Sequence, residues 1–314
     1  MIKAFHLQRA FGRTEKYRRV TPLIRINSLS DEWSADIYIK CENLQEIGAF
    51  KIRGASNFAL KLSLSERARG FVTHSSGNHA QAVAYMANRL GVDAHVVMPD
   101  NSNKQKIKNA EKWGAKIYLC APTFESRLST AENIQDAIGA TMIPPFDHEW
   151  IIEGQATCAM EVFYKKRDVD MFITPLGGGG LLAGSALAAK FFSPTTKVYG
   201  AEPEQASDGY EGFRRGERVT QFTPDTVADG LRTTVGELPF TYIQEDVDDI
   251  MLAPEADIIP WMKRLWKDTK LIIEPSCAVP FAAMAQQAEA WKGKQVVVVI
   301  TGGNVDMDQL SFDP

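Results

Sequence analysis

The sequence predicts an open α/β fold in which helices cover both faces of a mostly parallel sheet. Three observations support this prediction. Short β-rich runs alternate with helical patterns over most of the 314 residues. Most of these runs are continuously apolar, which is typical of strands covered on both faces. Apolar residues make up 45% and charged residues 24% of the chain, so a large buried core is possible.

The strand predictions rest on the apolar runs, and the helix predictions rest on the segments between them. The predicted strands are 37–40, 70–74, 94–99, 115–120, 171–176, 197–202 and 295–301. The clearest helical patterns are 78–90 and 181–192. Neither an internal repeat nor a low-complexity linker interrupts this alternation.

Charge and composition argue against several classes of partner. The net charge is −4 and the pI is about 5.8, which disfavours binding to nucleic acid or to an anionic membrane. No stretch is apolar over a length that could span a bilayer, and the N-terminus does not resemble a signal peptide. The spacing of the four cysteines matches neither a zinc site nor a disulfide framework. We therefore expect a cytoplasmic protein with a small-molecule partner.

Four consecutive glycines, Gly177–Gly180, stand between a predicted strand and a predicted helix. Backbone N–H groups in such a loop can converge on an anion, and the helix dipole adds to the attraction, so a phosphate is the natural ligand. A bare flexible turn is the alternative, but four glycines are entropically unfavourable there. The nucleotide P-loop is excluded, because leucines follow the glycines. A loose dinucleotide fingerprint over Gly178, Gly180 and Ala183 stays open.

The lone lysine in "GAFKIRGA", Lys51, favours a different phosphate-bearing cofactor. A dinucleotide gives this lysine no role. Pyridoxal phosphate has both a phosphate to anchor and an aldehyde that condenses with a lysine amine.

A second loop, "THSSGNHAQAVAYMA", joins a predicted strand to a predicted helix. Its polar side chains Ser75, Ser76, Asn78 and His79 crowd around Gly77. Hydroxyl, amide and backbone donors at a helix start can bind a carboxylate. An ordinary helix cap is the alternative, but it would need only one such residue.

Taken together, "GAFKIRGA", "SSGNHAQA", "GGGGLLAG" and "TGGNVD" resemble the fold-type II pyridoxal-phosphate enzymes, in particular their serine/threonine dehydratase and serine racemase branch. "ADGLRT", "DVDDI" and "IEP" agree with this resemblance. It implies two open, twisted, mostly parallel sheets flanked by helices, as in tryptophan synthase β-like enzymes. It also implies a large cofactor-binding domain (1–67 and 149–314) and a small substrate-binding domain (68–148).

The resemblance assigns roles to individual residues. Lys51 would form the Schiff base and act as the α-proton base, and Ser76 would be a second acid/base group. The cofactor would be bound by Phe50, Lys51, Asn78, Gly177, Gly178, Gly179, Gly180, Leu181, Glu274 and Thr301. The substrate would be bound by Ser75, Ser76, Asn78, His79, Arg127 and Thr234.

The resemblance also implies a divalent cation between Glu202, the backbone carbonyl of Ala206, and Asp208. Oxygen ligands suit Mg²⁺ or Ca²⁺, and Mn²⁺ is a further candidate. Two surface acids at the end of a strand are the alternative interpretation. A homodimer is expected from the same family.

The implied activity is the β-elimination of L-serine, L-threonine or a related 3-hydroxy amino acid to a 2-oxo acid and ammonia. Serine racemase and threo-3-hydroxyaspartate dehydratase activities are the alternatives. Ser76 keeps racemisation open, although it can equally serve only to bind the substrate carboxylate. Arg127 could bind the second carboxylate of a dicarboxylic substrate, or it could be a solvated helix arginine.

Two other classes compete with an ammonia-lyase: a β-replacement enzyme such as cysteine synthase, and a non-catalytic cofactor binder. Both are disfavoured, because "SSGNHAQ" suits dehydratases better and because Lys51, Asn78 and the glycines are all present. The sequence departs from the family at Ala49, where serine is usual, at Ile47, and around Glu149, Trp150 and Glu153. These departures leave the substrate more open than the cofactor.

Overall fold

The computed structural model describes residues 1–75, 77–102 and 104–306. It confirms the α/β prediction, with two mostly parallel sheets flanked by helices. No helix among the described residues combines the length and the apolar character needed to cross a bilayer.

The large sheet has six strands in the order β1-β2-β10-β7-β8-β9. Only β1 runs antiparallel to its neighbour, and the other pairs are parallel. Val298 lies in the centre of this sheet, in register with Ile39 on one side and Ile173 on the other. The strands are β1 (Leu23–Arg25), β2 (Asp36–Cys41), β7 (Met171–Pro175), β8 (Lys197–Pro203), β9 (Asp249–Ala253) and β10 (Gln295–Ile300).

The small sheet has four parallel strands in the order β5-β4-β3-β6. They are β3 (Phe71–His74), β4 (Ala94–Pro99), β5 (Lys116–Cys120) and β6 (Thr141–Met142). We call the segment from β3 to β6 the small-sheet unit. The seven predicted strands are all present in the two sheets. The sequence analysis did not predict β1, β6 or β9, and the motif "DVDDI" overlaps only the first two residues of β9.

Helices cover both sheets, in agreement with the parallel pairing. The helices of the described chain are α1 (Ala4–Thr14), α2 (Asn27–Glu32), α3 (Lys51–Lys61), α4 (Leu64–Ala68), α5 (Asn78–Leu90), α6 (Lys104–Glu111), α7 (Phe124–Ile138), α8 (Glu149–Lys165), α9 (Gly180–Phe192), α10 (Asp208–Arg215), α11 (Glu237–Asp246), α12 (Glu255–Thr269) and α13 (Pro275–Ala285). The two predicted helical patterns correspond to α5 and α9.

The carboxyl ends of three parallel strands determine where the polar motifs lie. The serine-rich loop follows β3, the glycine loop follows β7, and Thr301 follows β10. In open parallel sheets, ligands bind beyond the carboxyl ends of the strands. The fold therefore brings motifs that are far apart in the sequence to one region.

A buried charge cluster joins four segments behind this region. Glu161 on α8 pairs with Arg18, Lys40 and Arg53. Arg53 also pairs with Glu42, with 2.6 Å between Nε and Oε2. Burial raises the pKa of the Glu42 carboxyl, but Arg53 outweighs that effect and lowers the pKa to about 2. Because Arg53 follows Lys51 by two residues, the cluster holds the first turn of α3 in place.

We predict that Glu161→Gln lowers the free energy of unfolding by roughly 3–5 kcal/mol, because it leaves three buried cations with one carboxylate. Denaturant unfolding followed by circular dichroism measures this change. Asp93→Asn is the matched control, since it breaks an exposed pair with Lys116 and should cost less than about 1 kcal/mol. Equal unfolding midpoints for the two variants would contradict the prediction.

Candidate active site

A cavity of about 370 Å³ lies beyond the carboxyl ends of β3, β7 and β10. Its volume is in the range that holds a small organic molecule. It is lined by residues of the lysine motif, the serine-rich loop, the glycine loop and the segment after β10. The structure therefore brings together the four motifs that the sequence singled out.

Lys51 begins α3 and extends into the cavity. Its Nζ donates a hydrogen bond of 2.8 Å to the carbonyl oxygen of Pro145. The same atom lies 5.2 Å from the ring centroid of Phe50 and 5.9 Å from that of Phe146. Loss of solvent around the amine lowers the pKa of Lys51 to about 8, although the Glu274 carboxylate partly opposes this shift. The neutral fraction of this amine near neutral pH is therefore larger than that of an exposed lysine.

The backbone before Lys51 is fixed by the segment after β10. Ala49 forms an isolated bridge with Gly302, and the N–H of Phe50 donates to the carbonyl of Thr301 at 3.0 Å. Thr301 is buried and lines the cavity. Its Oγ1 lies 3.3 Å from Sγ of Cys277. Lys51 and Thr301 therefore lie in two segments that are joined by hydrogen bonds.

The glycine loop needs residues that lack a side chain. Gly179 has φ of +85° and caps the start of α9, a backbone conformation that favours glycine. A Cβ at Gly178 would collide with the ring of Phe146, and one at Gly179 would lie 2.8 Å from Cβ of Pro239. The loop thus presents bare backbone at a helix start, and such a site binds phosphate. Leu181 lines the cavity next to it.

Asn78 begins α5 and lies between two other polar side chains. Its Nδ2 donates to both carboxylate oxygens of Glu274, at 3.1 and 3.0 Å. Its Oδ1 accepts a hydrogen bond of 2.8 Å from Nδ2 of Asn304. Burial, and then the charge of Asp229, raise the pKa of Glu274 to about 7. The carboxyl group is therefore partly protonated at neutral pH.

The other residues of the serine-rich loop differ in role. Ser75 lines the cavity, and its Oγ accepts a hydrogen bond from the N–H of Gly77 at 3.3 Å. Ser76 lies outside the described residues. His79 is buried, and burial, followed by the charge of Lys51, lowers its pKa to about 3. Its Nε2 lies 3.0 Å from the carbonyl of Ile143, which assigns the proton of the neutral ring to Nε2.

Arg127 of α7 lines the cavity, as the sequence interpretation required. Thr233 is among the described residues that line the cavity and Thr234 is not, so the substrate-binding role of Thr234 stays a prediction. Residue 234 follows a short 3-10 helix in an irregular segment, where sequence alone does not give the side-chain direction.

Several cavity residues had no predicted role. Lys106 of α6 pairs with Asp229, so an ion pair joins the small-sheet unit to the large-sheet side of the cavity. Phe146 packs against the glycine loop. Asn304 and Asp229 belong to the quoted motifs "TGGNVD" and "ADGLRT", so a signal for them existed. Phe146 and Lys106 carried no comparable signal.

The predicted metal ligands lie close together at the end of β8. Glu202 and Asp208 are both buried. Glu202 accepts hydrogen bonds from the N–H groups of Gly209 and Tyr210, at 3.1 and 2.7 Å. Burial, and then the charge of Asp208, raise the pKa of Glu202 well above its usual range. Burial also raises the pKa of Asp208 to about 6.

Within residues 1–75, 77–102 and 104–306, no group of three or more histidine, cysteine, aspartate or glutamate side chains could hold a metal ion. The Glu202–Asp208 pair supplies only two carboxylates, so further ligands would have to be backbone oxygen and water. Two buried carboxylates whose pKa values are both raised, chiefly by burial, favour a hard divalent cation between them. The residues present therefore fit such an ion.

Comparison of the chain with known proteins identifies one family to which it belongs. The family model described as "Pyridoxal-phosphate dependent enzyme" matches residues 14–302. A "beta-hydroxyaspartate dehydratase" of Paracoccus denitrificans is 38% identical, over 97% of this chain and 96% of its own. An "L-threo-3-hydroxyaspartate ammonia-lyase" of Saccharomyces cerevisiae is 41% identical, over 95% of this chain and 92% of its own. The solved structure of maize serine racemase has a TM-score of 0.94 and 35% identity, over 97% of this chain and 94% of its own.

The cavity fits pyridoxal phosphate on structural grounds. The glycine loop has no room for side chains and can hold the phosphate. The amine of Lys51 has a lowered pKa and lies in the same cavity. Nδ1 of His79 is buried and has no partner among the described residues, so a polar group is left over for a bound molecule.

We predict that covalent attachment of pyridoxal phosphate to Lys51 becomes faster as the pH rises through about 8 and then levels off, since only the neutral amine reacts. An exposed lysine should continue to gain reactivity up to its ordinary pKa, near 10.5. Reductive trapping followed by peptide mass spectrometry measures the modified fraction at each pH. Lys51→Ala is the control for other sites. A midpoint near 10.5 at Lys51 would contradict the prediction.

Proposed function

The chain belongs to the pyridoxal-phosphate-dependent enzymes, and from this premise we propose that it converts a 3-hydroxy amino acid into a 2-oxo acid and ammonia. The observation that carries the proposal is the position of Lys51. Its amine has a lowered pKa and lies in one cavity with a phosphate-binding loop and a carboxylate-binding helix start.

The chemistry that pyridoxal phosphate supplies when bound is an electron sink at the α-carbon of the substrate. Lys51 is the base that takes the α-proton onto Nζ, and the carbonyl of Pro145 orients that atom at 2.8 Å. Loss of the α-proton and of the β-hydroxyl, as water, leaves an enamine. Hydrolysis of this enamine gives the 2-oxo acid and ammonia.

The remaining residues bind and orient. Gly177–Gly180 hold the phosphate through their N–H groups. Ser75 and the N-terminus of α5 bind the substrate carboxylate. Thr301 would offer a hydroxyl to the ring nitrogen of the bound cofactor, and a hydroxyl supports a protonated ring less than a carboxylate would. This arrangement suits elimination and racemisation better than transamination.

Arg127 supports a dicarboxylic substrate such as 3-hydroxyaspartate. It lines the cavity from α7, where a guanidinium fork can bind a second carboxylate. Two relatives with related names, a "beta-hydroxyaspartate dehydratase" and an "L-threo-3-hydroxyaspartate ammonia-lyase", support the same choice.

Racemisation is the second candidate function. It needs a second acid/base group on the face of the α-carbon opposite Lys51, and we assign that role to Ser76. Its sequence position, directly before Gly77 and Asn78, supports the assignment, as does the likeness to maize serine racemase.

We also propose that Glu202, Asp208 and the carbonyl of Ala206 bind Mg²⁺, or Ca²⁺ or Mn²⁺ in its place. The two buried carboxylates with raised pKa values support this site. We further propose that the protein is a cytoplasmic homodimer. Each chain would have a large domain (1–67 and 149–314) and a small domain (68–148).

For the activity, we predict that L-threo-3-hydroxyaspartate, L-serine and L-threonine release a 2-oxo acid and ammonia. Lys51→Ala should reduce the rate by roughly 10³-fold, because it removes the base. Arg127→Met should lower kcat/KM for 3-hydroxyaspartate relative to that for L-serine by roughly tenfold or more, because a charge-assisted hydrogen bond is lost.

The same reactions should be assayed for the D-amino acid. Ser76→Ala should abolish racemisation and leave elimination from the L-isomer intact. An equal loss of both activities would show that Ser76 only binds substrate. Cofactor binding without turnover of any of the three substrates would overturn the proposed elimination.

For the metal, we predict that Mg²⁺ raises the melting temperature of the protein, because an ion that binds only the folded state stabilises it. Glu202→Gln and Asp208→Asn should each remove the shift. Asp225→Asn is the control, since Asp225 is an exposed acid nearby in the sequence and should leave the shift unchanged. Differential scanning calorimetry measures all four proteins. A full shift in Asp208→Asn would contradict the site.

A further inference from the structure

Three polar side chains form a continuous hydrogen-bonded chain at the cavity wall. Asn304 donates from Nδ2 to the carbonyl of Ile47 at 2.9 Å and to Oδ1 of Asn78 at 2.8 Å. Asn78 donates from Nδ2 to Glu274 at 3.1 and 3.0 Å. Asn78, Glu274 and Asn304 all line the cavity. We call these three residues the amide clamp.

The clamp allows only one orientation of the Asn78 amide. The carbonyl of Ile47 can only accept, so Asn304 must turn its amino group toward Ile47 and Asn78. In its ionised form, the carboxylate of Glu274 can also only accept. If the Asn78 amide were reversed, its amino group would face the amino group of Asn304, and its oxygen would face the carboxylate. Both contacts would be repulsive.

One N–H of Asn78 remains unused in this orientation. The two oxygens of one carboxylate are close together, so both contacts to Glu274 share a single hydrogen of Nδ2. Its second hydrogen is not needed by Glu274, and the neighbouring oxygen is already occupied by Asn304. This N–H is the donor that Asn78 can offer to a molecule in the cavity.

The clamp residues come from separate parts of the fold. Asn78 starts α5 in the small-sheet unit, whereas Glu274 caps α13 and Asn304 follows β10. Backbone hydrogen bonds also join the segments that carry Glu274, Asn304 and Gly48. The N–H of Glu274 donates to the carbonyl of Gly302 at 3.0 Å, and that of Gly303 donates to the carbonyl of Gly48 at 2.9 Å. Asn304 also packs tightly, since a Cβ at Gly48 would lie 2.7 Å from its Oδ1.

We propose that Asn304 and Glu274 are positioning residues that hold the Asn78 amide with one N–H directed at the ring oxygen of the bound cofactor. This inference rests on the proposed function, because it requires pyridoxal phosphate in the cavity. It adds a role for Asn304, to which the sequence interpretation assigned none. A donor at that place stabilises the anionic form of the ring oxygen.

Asn304→Asp tests the orientation most directly. The new carboxylate has nearly the same size but can only accept, so it turns the Asn78 amide around. We expect pyridoxal phosphate to bind about tenfold more weakly, since one hydrogen bond is lost. We also expect the pH midpoint of the visible absorbance of the bound cofactor to rise, since the anionic ring oxygen loses its donor. Absorbance titrations with cofactor and with pH measure both quantities.

Two further variants separate orientation from packing and charge. Asn304→Ala removes the clamp without adding an opposing acceptor, so it should bind the cofactor more tightly than Asn304→Asp. A purely structural role predicts the reverse order, because aspartate fills the space and alanine does not. Glu274→Leu removes the acceptor on the other side of the Asn78 amide, so it should also weaken cofactor binding, by about tenfold.

The controls distinguish failure of this inference from failure of the proposed function. Asn27→Asp adds a carboxylate at a helix start outside the cavity. This variant should have the same cofactor affinity and the same pH midpoint as the parent. Lys51→Ala should abolish the absorbance of covalently bound cofactor. A parent protein that shows no such absorbance would overturn the proposed function. Normal behaviour of the parent and of Lys51→Ala, with Asn304→Asp unchanged in affinity and pH midpoint, would overturn the positioning role alone.

Discussion

The site depends on the convergence of helix N-termini on one cavity. Four helices begin at or next to cavity residues: α3 at Lys51, α5 at Asn78, α9 at Gly180 and α13 at Pro275. Each N-terminus carries partial positive charge and unpaired N–H groups. An anion is therefore favoured in the cavity, and a desolvated ammonium group is not. The positive electrostatic potential of the helix N-termini is consistent with a partly neutral lysine and with the binding of a phosphate and a carboxylate.

Parallel pairing is the reason for this convergence. In a parallel sheet, a strand that leads into a helix leaves the helix start at the carboxyl edge of the sheet. Two such sheets supply α5 and α9 to the same cavity, after β3 and β7. The buried charge cluster around Arg53 then anchors α3 from behind. Binding and chemistry thus use the ends of elements whose centres are rigid.

The sequence predicted features that are local. The seven predicted strands were found because each contains a β-rich, largely apolar run. β1 and β6 have only three and two residues, and the short apolar run of β9, Ile250–Ala253, was not recognised as a strand. The glycine loop was predicted because the four residues that must lack side chains, Gly177–Gly180, are consecutive in the sequence. The amide clamp and the Lys106–Asp229 pair were not predicted, because the residues that bond to each other are separated by more than a hundred positions. Thr234 lies in an irregular segment, which has no periodicity from which the side-chain direction can be inferred.

The buried charge cluster also affects how the chain folds. Its pairs join residues 143, 121 and 108 positions apart, all through Glu161. Contacts over such sequence distances form late, because a long loop must close first. Until α8 docks, Glu42 is the one carboxylate of the cluster that is available to its three cations, so the segments that carry Arg18, Lys40 and Arg53 stay partly hydrated. We infer that docking of α8 is the step that commits the large-sheet half of the molecule to its native state.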